Sequence, residues 1–540
     1  MKRKGANVMK KNHVKIVTLM LILLLFVTVF VGCNTTTTTP PSADNTPEKT
    51  NSPDTPAPVE IVEISAMVFD RGSAPDGEGT VDDNRWTQWI NEQMAPRGVK
   101  VKFIPIPRSE EAQKIPVLMA SGTAADIMMT YDYTMTEKFF RDGGTHELFD
   151  DIENFGPVLK QYLGEEVLAT GRLEDGQQFA IPARRATIAM TNANIRKDWL
   201  DKLGLPIPKT TEELYQALKA FKDQDPGNVG SDKVIAWNGG GGVLVNAFLK
   251  NLDPKQYLIN SPSYALMDEG WKEYIRYKNK LYNEGLMDPE YFTASDFGQK
   301  QKENLVAGVT GYWEYDVNGN VDNLRGGLLQ NLKQNVPDAE FVSIEPVANI
   351  WDGKVYNPSY PVTGAFNFIP KTAKDVGACI KYLDFLAGEG GFMVFHGVEG
   401  EHFNFIDGVP VVIDADHNAK TKDWLRHDLF LVGNQGYYAT ESDFALATSK
   451  ELPGWEQYVI DNYNNAAVGI RLPSSTYNSP TQVEQSGNIT KLNGDFDVKL
   501  TTCNPDEFNT IFDEYISELK KYDMETIIQE RTEYYNKIFK

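Results

Sequence analysis

Residues 194–226, NIRKDWLDKLGLPIPKTTEELYQALKAFKDQDP, hold two helices with their stop and start signals written out. Gly204 follows Leu203 as the glycine just past a helix end would, and Pro206 and Pro208 forbid continuation. Thr210 with Glu213 three residues on predicts a capping box for the second helix. Leu214, Ala217, Leu218 and Phe221 then recur at i, i+3, i+4 and i+7, one apolar stripe on a helix whose other face is charged. A capped pair of this kind occurs in many α/β proteins and by itself specifies no chemistry. The fold is decided by what surrounds it.

Upstream, residues 61–69 read as a buried strand ending in the loop Asp70-Arg71-Gly72-Ser73, and residues 83–94, with Trp86, Trp89 and Ile90, read as a helix. Val99, Val101 and Phe103 alternate with Lys100 and Lys102, which predicts a half-buried second strand. A helix over 110–120 leads through Ser121-Gly122-Thr123 into a third strand at 126–130. Strand, helix, strand, helix, strand at this spacing implies a mostly parallel sheet. Ligands of such sheets meet the loops at the carboxyl ends of strands, here Asp70-Arg71 and Tyr131-Asp132. A helix-rich region at 136–163, a short strand at 178–182, Arg184 and Arg185, and a strand at 187–191 then run into the helix pair.

These segments carry a resemblance. The order ASGTAADIMM, FFRDGGTHELFDD, DGQQFAIP and NIRKDWLDKLGLPIPKTTEEL resembles the extracellular solute-binding proteins of ABC importers, the group similar to maltose-binding protein. Within that group it is most similar to the large lipoproteins of Gram-positive bacteria. KLYNEGLMDPEYF, LVAGVTGYWEYDVN, FNFIPKTAKDVGACIKYLDFLAGEGG, GVEGEHFNFIDG and the carboxy-terminal segment from Cys503 continue it, while Ala125 replaces the family's usual proline. The resemblance implies an α/β fold of the periplasmic-binding-protein type II-like kind: two α/β lobes joined by a hinge, with an interlobe cleft. It places lobe one at 59–185, lobe two at 186–362, a return to lobe one at 363–440, and a carboxy-terminal helical region packing mainly on lobe two at 441–540. Asn504, Pro505 and Glu507 predict the start of a helix there, with Phe508, Ile511, Phe512, Tyr515, Ile516 and Leu519 as its apolar stripe.

The amino-terminal end agrees with export. Lys2, Arg3, Lys4, Lys10, Lys11 and Lys15 form a basic region before the apolar run 16–31, which is shorter than the roughly 20 residues needed to span a bilayer. Phe30-Val31-Gly32-Cys33 resembles a bacterial lipobox, which makes 1–32 a lipoprotein signal peptide and Cys33 the lipidated residue. Residues 33–58 are rich in Thr and Pro and contain no large apolar side chain, the composition of a disordered tether with a reach of about 25–30 Å. The formal charge is −22, and the six Lys and Arg of residues 1–32, with no acid among them, leave the remainder more acidic still, which disfavours nucleic acid as a partner. Beyond Cys33 only Cys379 and Cys503 remain, too few for a disulfide framework.

Catalytic signatures are missing: there is no GxSxG, HExxH or GxxxxGK[ST], and His146, His396, His402, His417 and His427 do not fall at paired metal spacing. Relatives often carry an EF-hand-like calcium loop after the second helix. Here, counted from Asp225, Gly227 and Val229 offer no side-chain oxygen and Lys233 stands where an acid is expected, so calcium is disfavoured and no cofactor is expected. A sugar site needs aromatic faces for C–H surfaces and polar edges for hydroxyls. Trp313 and Tyr315, in GYWEYD, resemble the family's ligand-stacking loop. Trp237 and Asn238 precede the run Gly239 to Gly242, whose backbone can approach a ligand closely. Lobe one offers Asp70, Arg71, Tyr131 and Asp132, and the hinge Arg184. The expected function is a monomeric, lipid-anchored receptor on the extracellular face of the membrane that binds an oligosaccharide and delivers it to the transmembrane subunits of an ABC permease. The alternatives are a secreted lipoprotein enzyme or an adhesin, acting on or binding polysaccharide.

Overall fold

The computed structural model describes residues 60–538 apart from 174, 240–241, 262–263, 426–428, 435 and 476. The leader, Cys33 and the tether lie outside the described residues, as do Gly240, Gly241 and His427. Val59–Lys540 forms one compact unit. No helix among the described residues is long and apolar enough to cross a membrane.

Strand β1 (Val62–Asp70) runs parallel to β2 (Val99–Pro107), with Val62 opposite Val99 and Asp70 opposite Pro107. Ala66, Met67, Val68 and Phe69 are buried in succession, because helices cover both faces of a parallel sheet. The helix Arg85–Met94 starts where the Asn84 carboxamide accepts the amides of Trp86 and Thr87, and it buries Trp86, Ile90 and Met94. A parallel bridge from Ala66 to Ile127 brings in β3 (Met128–Thr130), and β4 (Ile181–Arg185) completes the outward course of lobe one.

The strand expected at 187–191 starts four residues later. β5 spans Thr191–Arg196, whereas 187–190 is a crossing segment. Asn192 and Asn194 look like turn residues in sequence but are fully buried. Asn192 Nδ2 donates to Ser343 Oγ and to Asn462, and Asn194 Nδ2 donates to Asn192 Oδ1. The strands β6 (Ile235–Trp237), β7 (Thr310–Asp316) and β8 (Phe341–Ile344) assemble with β5 in the order β6-β7-β5-β8, β6 parallel to β7 and β5 antiparallel to both neighbours. Lys197–Leu203 and Thr211–Gln224 are the opening helix pair. Gly204 is left-handed at φ +65°, the Thr210–Glu213 capping box is formed, and Leu214, Ala217, Leu218 and Phe221 are buried against one face of this sheet.

The chain then returns. β9 (Tyr356–Ser359) leads through 360–362 to β10 (Thr363–Phe368), which inserts antiparallel between β3 and β4. The two crossings pair with each other: Arg185 N donates to Val362 O at 3.0 Å and Tyr360 N to Ile188 O at 2.9 Å. After the hairpin of β11 (Phe403–Ile406) and β12 (Val409–Val412), β13 (Gly433–Asn434) lies parallel to β4. The helix Glu441–Lys450 then packs its Ala445 into the lobe-two core, and β14 (Ile470–Pro473) pairs with β9.

Near the carboxy terminus, the helices Pro480–Thr502 and Phe508–Leu519 pack on Glu269–Asn283 through Ile275, Phe496, Phe508, Phe512, Tyr515 and Leu519. The second of these starts at Phe508, a turn after Asn504, because the Asn504 carboxamide is used on the amide of Asp506. The helix Met524–Ile538 follows, and Tyr534 on it reaches lobe one.

Candidate ligand site between the lobes

At the carboxyl edge of the lobe-one sheet, the Asp70 carboxylate accepts the Gly72 amide at 2.8 Å and turns the exposed loop that holds Arg71. Tyr131 is half-buried and stacks on Phe69, with centroids 6.3 Å apart and planes 16° apart. The Arg108 guanidinium lies 4.9 Å and 4.8 Å from the centroids of Phe69 and Tyr131. It is ion-paired with Glu111, whose other oxygen accepts Thr130 Oγ1 at 2.5 Å and Tyr131 N at 3.1 Å. Asp132 is exposed and caps the helix Tyr133–Arg141 through the Met135 amide. Asp70 and Asp132 thus each give an oxygen to the backbone, and Tyr131 is fixed in place.

Successive side chains on a strand point to opposite faces, and this separates Arg184 from Arg185. Arg184 lies over the Tyr162 ring, donates to the carbonyls of Tyr162 and Ala439, and lines a groove of about 450 Å³ with Phe392, Met393, Tyr437 and Tyr438. It is not among the residues lining the cavity between the lobes. Arg185 instead sits 4.6 Å over the ring of Tyr360 and donates its Nε to Thr363 O at 3.2 Å. Burial pushes its guanidinium down from the usual value, opposed by Tyr360, Tyr131 and Asp316 nearby. The Tyr360 hydroxyl donates to Asp316 Oδ2 at 2.5 Å, and Asp316 Oδ1 accepts the Gly319 amide to start the helix Val317–Arg325. Tyr131 of lobe one, Arg185 and Tyr360 of the crossings, and Asp316 of lobe two therefore converge.

The tryptophans expected to stack on a ligand are core residues. Trp237 and Trp313 are each 1% exposed. Both lie within a strand covered on both faces, so alternation sends Tyr312 into one core and Trp313 into the other. Neither ring presents a face to a solute in this conformation. Asn238 is fully buried and satisfied: its side chain donates to Gln301 O and accepts from Asn304, and its carbonyl accepts from Gln301. Of the lobe-two set only Tyr315 is half-buried, 4.7 Å from Trp313 between centroids.

A cavity of about 800 Å³ lies between the lobes. That is within the range of small-molecule sites, about 300–1,000 Å³. Tyr133 and Arg172 line it from lobe one, Tyr360 from a crossing, and Arg471, Tyr534 and Tyr535 from the other side. Tyr534 donates its hydroxyl to Tyr133 at 3.0 Å and stacks on Tyr477 at 3.7 Å and 7°. Arg172 is paired with Glu165, and Arg471 with Glu441, which also accepts from Thr187 and Ile188 on the first crossing. Sequence reasoning missed these residues. Tyr534-Tyr535 at the end of the last amphipathic helix was the one available signal.

Two clusters bear on metal binding. In the loop after Thr211–Gln224, the Asp225 oxygens accept the amides of Val229 and Gly230, and Lys222 Nζ donates to the carbonyls of Asp232 and Val234. These bonds tie the loop to its own backbone and to Lys222. The fold also brings Glu401, His402 and His417 together, with ligand atoms within 4.8 Å of one another, although their spacing in sequence gives no such indication. Here the Arg85 fork binds both oxygens of Glu401 at 2.6 and 2.9 Å and holds its carboxyl down at about 2. His402 Nδ1 accepts the Val398 amide, which leaves its proton on Nε2 towards Thr421. Glu401 is thus taken by Arg85 and His402 by Val398 and Thr421, whereas His417 Nε2 has no hydrogen-bond partner among the described residues.

Residues 80–391 match the family model described as bacterial extracellular solute-binding protein. The polygalacturonan/rhamnogalacturonan-binding protein YtcQ of Bacillus subtilis is 24% identical over 348 residues, 59% of this chain and 66% of that protein. The fructooligosaccharide ABC transporter substrate-binding protein FusA of Streptococcus pneumoniae is 32% identical over 163 residues, 26% of this chain and 30% of that protein. The chain thus spans less than two-thirds of the length of these curated relatives. A solved extracellular solute-binding protein from Bifidobacterium longum subsp. infantis shares the fold, with a TM-score of 0.61 over 89% of this chain and 99% of its own, at 18% identity. With more than half of its length inside the family model, and with two α/β lobes joined by paired crossings, the chain belongs to the bacterial extracellular solute-binding proteins.

Proposed function

We propose that the protein is a receptor that captures an oligosaccharide between its lobes and delivers it to an ABC permease. The observation that carries this reading is the cavity of about 800 Å³, lined from both lobes by tyrosines and by polar and charged side chains. Aromatic faces with hydrogen-bonding groups at their edges are what sugar rings require. YtcQ and FusA, which are named for saccharides, support the ligand class, and FusA supports the permease. Tyr360 and Tyr534 supply the ring faces, Tyr133 backs the wall through its hydroxyl on Tyr534, and Asp70, Arg71, Tyr131, Asp132 and Tyr315 are left for the outer units of a longer ligand. Cys33 would carry a lipid that anchors a monomer at the extracellular face of the membrane, and the Asp225 loop would work without metal. A ligand that touches both lobes shifts the equilibrium towards closure by its differential affinity. A micromolar Kd, about −8 kcal/mol, suffices for capture and still permits release.

A glycan-library thermal-shift screen on Val59–Lys540, followed by small-angle scattering with the best ligand, tests the reading. An upward shift with an oligosaccharide and a smaller radius of gyration are expected. No shift with any oligosaccharide, no compaction with one that binds, or turnover of a labelled glycan into products would overturn it.

A further inference from the structure

The polar side chains that line the cavity between the lobes are largely bonded to other protein groups. Tyr360 gives its hydroxyl to Asp316, Tyr534 gives its own to Tyr133, and the hydroxyls of Tyr535 and Ser475 lie 2.5 Å apart. Arg172 uses its three nitrogens on Gln178 and Glu165, and Ser474 donates to Ser359 O. The lining backbone is engaged as well. Val362 O accepts Arg185 N, Ile188 O accepts Tyr360 N, Ile188 N donates to Glu441, and Pro254, Pro361 and Pro473 have no N–H to offer. Much of the remaining wall is aliphatic: Leu173, Ile188, Leu258, Pro361, Val362 and Pro473. One lining group keeps open donors. Arg471 uses Nη1 on Glu441 Oε1 at 2.6 Å, and its Nε and Nη2 have no acceptor among the described residues. The other oxygen of Glu441 accepts Ile188 N, which ties this guanidinium to the aliphatic wall. The exposed Glu166 and Lys537 stand where the cavity meets solvent.

We propose that this cavity selects an acylated saccharide, its acyl group entering among the aliphatic side chains while its hydroxyls stay towards Glu166, Lys537 and water. The inference rests on the receptor reading above. A hydroxyl carried inwards gives up its bonds to water and meets protein groups that are already bonded, which costs affinity. An acyl group asks for different surroundings. Its alkyl end needs only apolar surface, and its carbonyl needs one donor, which the guanidinium of Arg471 can supply as a charge-assisted bond. The same chemistry is offered by an acetyl ester on a sugar hydroxyl and by an acetamide on an amino sugar.

The test is calorimetry on Val59–Lys540 with two matched pairs of neutral trimers, O-acetylated xylotriose against xylotriose for the ester and triacetylchitotriose against cellotriose for the acetamide. In at least one pair the acylated member should bind about 10- to 100-fold tighter than its partner, the range for a small group that fills an apolar pocket. Val362→Thr keeps the shape of the wall and adds a hydroxyl to it, and it should cut that ratio by about 3-fold or more, with melting curves showing that the variant folds. Arg184→Gln, in the separate groove beside Tyr162, should keep the ratio. Unsubstituted trimers binding as tightly as the acylated ones in both pairs, or a ratio unchanged in Val362→Thr, would overturn the inference and leave the receptor standing. No binding of any saccharide, acylated or not, would overturn both.

Discussion

His396 ends the helix Glu389–His396 among the rings of Phe392, Phe395, Phe403 and Tyr438, with Nε2 at 3.0 Å from Tyr437 O. Nε2 must donate there, and burial lowers the pKa of the ring to about 4. Because the folded value lies below the unfolded one, near 6.5, the unfolded chain takes up a proton first as pH falls. The stability from this group is complete above about pH 6.5 and is lost as pH falls towards 4, by about 3 kcal/mol in all. Urea titrations of His396→Phe across that window should show a correspondingly flatter pH dependence, and a slope equal to that of the parent chain would refute the assignment. The same scale shows what the sequence leaves open. Arg184 and Arg185 are adjacent and chemically equal in a string of letters. Only the register of β4 against β10 and β13 decides that Arg185 meets Tyr360 while Arg184 meets Tyr162. Trp237 and Trp313 were drawn to the site by their chemistry, and two-sided coverage of their sheet takes them into the core.

Among the elements, those governed by local rules were the most legible. The capping box at Thr210 and the left-handed Gly204 form as read, because each depends on residues within one turn. Thr210→Ala should cost about 1 kcal/mol through loss of the cap. Gly204→Ala should cost about 1–2 kcal/mol, all of it backbone strain, since φ is +65° and a methyl there meets nothing within 4 Å. Both should lower the urea midpoint of lobe two without changing the slope, and an unchanged midpoint would mean that the helix is held by its buried stripe alone. β5 was less legible. Its Asn192 and Asn194 are acceptable in a buried strand only because Asn462, 270 residues away from Asn192, supplies their network. Nothing within a window of sequence contains that information.

At the scale of the molecule, the two-lobed plan followed from the alternation of strands and helices and from family resemblance, but the cavity did not. Its walls come from Tyr133, from Tyr360 and from Tyr534 near the end of the chain, and their meeting depends on the two paired crossings and on a helix that returns to lobe one. Tyr534 is the clearest bridge. Its hydroxyl reaches Tyr133, its ring stacks on Tyr477, and its helix is held from below by the buried Arg531. The contact with Tyr133 favours the lobe approach seen here, and a ligand in the cavity adds to the same side of the equilibrium. Tyr534→Ala removes the contact without touching Arg531. Small-angle scattering of this variant without ligand should give a larger radius of gyration than the parent chain, and its oligosaccharide Kd should rise about 10-fold, since a closed state populated less often lowers the apparent affinity in proportion. If both the radius and the Kd stay at the parent values, Tyr534 only lines a wall and the lobes are held by the crossings alone.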